Sequence, residues 1–280
     1  MVEGVHIRLA LSNRPHNVAI VRQALAGLAD ATGLSRGDLN DIATAVTEAC
    51  NNVCVHAYGG DEGPLEVELH SMQAAMVATV RDRGVGLALD ARALPEFPID
   101  VDGELAGIGL PSIQALASEV RWSETSGGGV SVQMTFATDT PASGGWVNPE
   151  CDLAASPFAQ PCELGPTIEV AMAPLEVARE VLIRLLHATA ARARFSIDCH
   201  AEVQRVGAAL LADPENWTSS GGIHARLIAD TDSLELAIGP IARDRAKLLA
   251  QTAARGKPRL RGSIGPADDH RHTLVVRLRP

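Results

Sequence analysis

Residues 139–166, DTPASGGWVNPECDLAASPFAQPCELGP, are rich in Pro, Gly, Ser and Ala and carry no sustained periodicity. Such a stretch reads as a linker, and it divides the 280 residues into two periodic blocks. Each block is long enough to bury a core of its own. The first predicts a strand over 5–11, then a helix carrying Val18, Val21, Leu25 and Leu28, with Ser12 and Asn13 as caps and Pro15 in its first turn. A second helix over 35–58 opens on Ser35 and Asp38, spaced like a capping box, and carries Leu39, Ile42, Val46, Ala49 and Val53 as its apolar stripe. Strands over 65–69 and 76–80, a helix over 111–117 and an alternating strand over 130–136 complete the block.

The second block repeats the order: strand 167–171, helices 174–193 and 201–212, strands 225–229 and 234–238, helix 242–254, strand 273–278. Leu65 falls on Ala225, and the shorter run to the last strand leaves this block short of a stretch after its third strand. The pattern predicts an α/β (α+β) two-layer sandwich, with helices on one face of a mixed, mainly antiparallel sheet, duplicated along the chain.

Composition narrows the function. Thirty-four acids against 24 Lys and Arg give a net charge of −10, which disfavours a broad nucleic-acid surface. No apolar run reaches the ~18–20 residues a membrane helix needs, and the first residues lack a signal-peptide pattern. The expectation is a cytoplasmic protein without nucleic-acid or membrane partners. Cys50, Cys54, Cys151, Cys162 and Cys199 are odd in number and lack paired zinc-ligand spacing, so they read as small buried residues in a reducing compartment.

Chemistry concentrates in the first block. In the second helix, Asp41, Glu48 and Asn52 share one stripe, away from the apolar face. A carboxylate and a carboxamide one turn apart suit a hard cation beside an attacking group; a solvated polar face has the same pattern. The strand over 76–80 then runs into Asp82-Arg83-Gly84-Val85-Gly86. An acid at a strand end can accept from an exocyclic amine, and the glycines let the backbone pass close to a flat ring. Gly107-Ile108-Gly109-Leu110 precedes a helix whose free N–H groups could hold phosphate. Ser126-Gly127-Gly128-Gly129-Val130 leads into the closing strand and, taken alone, is a flexible hairpin.

In this order the four elements resemble the GHKL ATP-binding fold and, more narrowly, the anti-sigma-factor serine/threonine kinases. T-E-A-C-N-N-V-C-V-H-A-Y matches that family's N box, D-R-G-V-G-L its first glycine box and G-I-G-L its second. The resemblance implies Glu48 as general base, Asn52 as the Mg2+ ligand and Asp82 as the adenine-reading acid. It implies Gly84, Gly86, Gly107, Ile108, Gly109 and Leu110 as nucleotide-lining residues and 90–106 as a lid. ATP and Mg2+ are the implied cofactors, and a sigma factor and a STAS-domain anti-anti-sigma protein the implied partners. His56 sits where the family often has His, as a packing or hydrogen-bonding residue. Leu105-Ala106 replaces a basic residue common ahead of the second glycine box, and Val130 replaces a common Thr; nucleotide binding tolerates both changes better than phosphoryl transfer does.

The second block resembles a degenerate copy. Ala208 and Ala212 stand for Glu48 and Asn52, and Gly239-Pro240 stands for the Asp82 turn. The expected organisation is a GHKL ATP-binding domain over 1–138, a linker over 139–166 and a non-catalytic GHKL-like domain over 167–280. The expected activity is phosphorylation of an anti-anti-sigma partner together with sequestration of a sigma factor. The alternative is a non-catalytic, ATP-dependent module that regulates a partner by binding. The family's habit of dimerising implies a homodimer or an intramolecular pseudo-dimer.

Overall fold

The computed structural model describes residues 4–72, 74–85, 109–125, 128–138, 165–193, 195–210, 212, 222–230, 233–254, 260–266 and 271–278. Among the described residues ten strands form one sheet, antiparallel in every pairing. They are β1 (His6–Ser12), β2 (Pro64–Met72), β3 (Ala75–Asp82), β4 (Glu119–Glu124), β5 (Val130–Ala137), β6 (Thr167–Ala173), β7 (Ile223–Ala229), β8 (Leu234–Ala242), β9 (Leu260–Pro266) and β10 (Arg271–Leu278). Their order across the sheet is β4-β5-β3-β2-β1-β6-β7-β8-β10-β9. The helices are α1 (Pro15–Thr32), α2 (Arg36–Asn52), α3 (Gly109–Leu116), α4 (Val177–Arg192), α5 (Ile197–Leu210) and α6 (Arg243–Ala254).

Alternation builds the sheet's two faces. Ile7, Leu9 and Leu11 on β1, Leu65, Val67 and Leu69 on β2, and Met76, Ala78 and Val80 on β3 all point to the helices and are buried. Residues between them face away and pair their charges across strands. Glu68 accepts from His6 Nε2 at 2.7 Å and from Arg81 Nη1 at 2.5 Å; Arg226 meets Glu169. These contacts hold the Glu68 carboxyl down at about 2, the His6 bond first among them. The apolar residues of both halves join one cluster, and each fully buried Leu, Ile or Val contributes about 1.5–3 kcal/mol.

The seam between the halves is β1 against β6, from His6–Ala173 to Ala10–Glu169, with α1 packed on α4 above it. Asn17, fully buried, ties the seam at one end. Its Nδ2 donates to the Ser12 carbonyl at 2.8 Å, and its Oδ1 accepts from Arg192 of α4 at 2.5 Å. Arg184 of α4 pairs with Asp30 of α1. Among the described residues, both halves run strand, helix, helix, strand, strand, helix, strand, strand.

Some local expectations need correction. Ser12 lies in β1, and the residue before α1 is Arg14, with no side-chain cap; Pro15 starts the helix as expected. α1 stops at Gly33, whose left-handed backbone (φ 72°) turns its N–H onto the Ala29 carbonyl. Ser35 does cap α2, accepting from the Asp38 N–H at 3.1 Å. The second half of the box does not form, since Asp38 Oδ2 is buried without a partner among the described residues. α2 ends at Asn52 and widens into a π-helical turn, Val53–Ala57, where one regular helix to residue 58 was expected. Leu65 and Ala225 both lie on the buried, core-facing row of their strands.

Candidate nucleotide site

The core-facing row of β3 ends in a carboxylate. Met76, Ala78 and Val80 are buried under the helices, and the two-residue period carries Asp82 onto the same face, where it is 5% exposed. Its Oδ1 accepts the Gly84 N–H at 2.9 Å, and among the described residues no donor takes Oδ2. An apolar row that closes on a buried carboxylate leaves an oxygen that calls for a hydrogen-bond donor.

α2 packs against β3, and the end of its π-helical turn meets the end of that strand. The Val85 N–H donates to the Ala57 carbonyl at 3.0 Å. The Arg83 N–H donates to the Tyr58 hydroxyl at 2.8 Å, and that hydroxyl donates to the Pro64 carbonyl at 2.5 Å. Burial raises the Tyr58 phenol above its usual range, which keeps the proton it donates. Gly84 is required by backbone packing: a β-carbon there would land on the Ala57 carbonyl. Gly129 has a left-handed φ of 87°, and a β-carbon on it would come 2.5 Å from the Asp82 carbonyl oxygen and 2.7 Å from Asp82 Oδ1. Gly129 thus lies directly against Asp82.

Glu48 and Asn52 lie one turn apart on α2 and are half-buried, whereas Asp41, three turns back from Asn52, is exposed. Gly109 and Leu110 start α3, which packs on α2. Gly86, Gly107, Ile108 and residues 90–106 lie outside the described residues. His56, expected to pack or to hydrogen-bond, has an exposed side chain. Cys50 is buried and Cys54 half-buried, both as free thiols, and burial pushes the Cys50 thiol far up. Tyr58 and Gly129 were not among the expected site residues. Tyr58 is the chain's one tyrosine and directly follows the acid-and-amide helix, which is the signal that could have marked it.

Helices on one face of an antiparallel sheet, with a core-facing strand ending in Asp-x-Gly beneath the helix of Glu48 and Asn52, define a GHKL-type fold. Residues 11–136 match the histidine kinase-like ATPase domain. The chain is 34% identical over 135 residues to serine-protein kinase RsbW of Listeria innocua serovar 6a, covering 46% of this chain and 85% of that protein. It is 32% identical over 126 residues to the RsbW of Halalkalibacterium halodurans (43% and 77%). It is 32% identical over 137 residues to that of Bacillus licheniformis (46% and 84%). The chain belongs to this family of GHKL serine-protein kinases through its N-terminal half.

Proposed function

We propose that this protein is a cytoplasmic, ATP- and Mg2+-dependent serine/threonine kinase of the anti-sigma-factor type. It phosphorylates a STAS-domain anti-anti-sigma partner and sequesters a sigma factor. The observation that carries the reading is Asp82: a buried carboxylate with one oxygen held by Gly84 and the other, without a donor among the described residues, offered to an adenine amine. Residues 1–138 form the catalytic domain in this reading, 139–166 the linker, and 167–280 a non-catalytic copy arisen by duplication. No helix among the described residues is long and apolar enough to cross a membrane.

The residues fit the cofactors the family implies. Asn52 offers a carboxamide oxygen, a ligand suited to Mg2+, which takes one or two protein ligands and fills its shell with phosphate and water, and the Glu48 carboxylate stands one turn earlier. Bound with the nucleotide, the ion would offset charge on the phosphates. Glu48 accepts the proton of the attacking serine hydroxyl and holds that oxygen in line. Asp82 orients the base. Gly84, Gly86, Gly107, Ile108, Gly109 and Leu110 line the nucleotide, with the start of α3 toward the phosphates.

In the second half Ala208 is exposed and lacks the acid of Glu48. On β8 the core-facing row Leu234, Leu236 and Ile238 leads to Pro240, where β3 has Asp82. That half therefore serves in partner contact or as the covalent stand-in for a second subunit. Val130, buried at the start of β5 in place of a hydroxyl residue, favours a second reading in which ATP is held without transfer.

One assay separates the two. The full chain is incubated with γ-labelled ATP and candidate STAS-domain proteins, beside Glu48→Gln. Label on a partner serine or threonine that disappears in the variant supports the kinase. Tight ATP binding with no transfer to any partner supports the binding module. Equal transfer by Glu48→Gln removes Glu48 from the chemistry.

A further inference from the structure

The loop that follows Asp82 is held at three successive backbone amides, two of them by the end of the π-helical turn after α2. The Arg83 N–H goes to the Tyr58 hydroxyl at 2.8 Å, the Gly84 N–H to Asp82 Oδ1 at 2.9 Å, and the Val85 N–H to the Ala57 carbonyl at 3.0 Å. Of these acceptors, one is Asp82 itself and two come from the end of the turn. Tyr58 reaches both flanks of the site, since its hydroxyl also donates to Pro64 at the start of β2, the strand that pairs Leu65 with Asp82. The ring is packed in place as well: a β-carbon at Gly63 would overlap it, and Gly63 is itself pinned by its N–H to Asn13 Oδ1 at 3.0 Å.

Resting on the nucleotide-binding reading above, we infer that Tyr58 is a positioning residue for the adenine site. Its hydroxyl holds the Arg83 amide so that the Asp82 carboxylate stays aimed at the base. It does not touch the nucleotide; it acts through Asp82. Without the hydroxyl, the Arg83 N–H and the Pro64 carbonyl each lose a partner, and the segment carrying Asp82 gains freedom that binding must then remove.

The test is calorimetric titration of the full chain with Mg2+–ATP and with ADP, on wild type, Tyr58→Phe, Asp82→Asn and the double variant. Phe keeps the ring over Gly63, and each variant's thermal midpoint without nucleotide is measured alongside. The expected result is a roughly tenfold rise in Kd for Tyr58→Phe with Asp82 present, the size of one lost hydrogen bond to the loop. With Asp82→Asn the same change should move Kd by less than twofold, because what Tyr58 aims is gone. A structural role alone would lower the midpoint and weaken both backgrounds equally, and that result overturns the inference. Nucleotide binding by Tyr58→Phe equal to wild type overturns it too, leaving the nucleotide reading intact. If wild type binds neither ATP nor ADP, the nucleotide reading itself falls.

Discussion

Gly27 of α1 sits against the backbone of Val181 on α4. A β-carbon on Gly27 would lie 2.8 Å from the Val181 Cα and 2.9 Å from the Glu180 carbonyl oxygen. Both neighbours are main chain, so no side chain can swing aside. In an open helix Gly→Ala gains up to about 1 kcal/mol. Here Gly27→Ala should instead cost about 1–3 kcal/mol, as overpacking does. Urea denaturation of the full chain checks it, and a stabilised variant would mean the two helices have room to spare.

Asp82→Asn should weaken Mg2+–ATP binding about ten- to a hundredfold, from the loss of a charge-assisted hydrogen bond of about 1.5–3 kcal/mol. The carboxamide oxygen can still accept the Gly84 N–H, so the turn survives and the loss reports on the nucleotide contact. Calorimetry gives the answer. Unchanged affinity would take the adenine role away from Asp82.

Titrated to saturation, the full chain should bind one nucleotide. In the proposed duplication Pro240 takes the place on β8 that Asp82 holds on β3, and its side chain has no acceptor to offer. Exposed Ala208 lacks the carboxylate of Glu48. A stoichiometry of two would show that residues 167–280 bind by other means.

Acid should destabilise the fold in two stages. His224, buried on β7 and near Arg8, has its pKa lowered to about 4, chiefly by burial. Between the ordinary value near 6.5 and 4 the unfolded chain holds more protons than the folded one, so stability falls as pH drops through that window and levels below it. The full shift corresponds to about 3 kcal/mol. Glu68, held down at about 2 by His6 and Arg81, stabilises fully above its ordinary 4.5 and loses that contribution from there toward 2. Urea midpoints from pH 7 to 4 should therefore slope less in His224→Gln than in wild type. Parallel slopes would remove His224 as the cause.

The elements that sequence reading found are those with a buried face. Val18, Val21, Leu25 and Leu28 mark α1, and the alternation of 130–136 marks β5, because water exclusion imposes a period on them. β4 and β9 went unread. Both are edge strands paired on one side only, and their sequences, EVRWSE and LRGSIGP, carry charge and glycine where a central strand carries Val or Ile. The site divides the same way. Glu48, Asn52 and Asp82 stand out as polar residues on periodic elements. The work of Gly84 and Gly129 is a matter of which backbone lies opposite, Ala57 for one and Asp82 for the other, and spacing along the chain does not encode that. Tyr58 was hidden by the π-helical turn, since a regular helix to residue 58 would have rotated its ring elsewhere.

The β1–β6 seam joins strands of one polypeptide, so its formation is first order. Dilution leaves it unchanged, where two separate chains meeting along the same strands would come apart. A tether of this kind holds its ends at an effective concentration on the order of millimolar. The seam therefore stands at any expression level, and each molecule carries one α1 and one α4 in a ratio that mass action cannot alter.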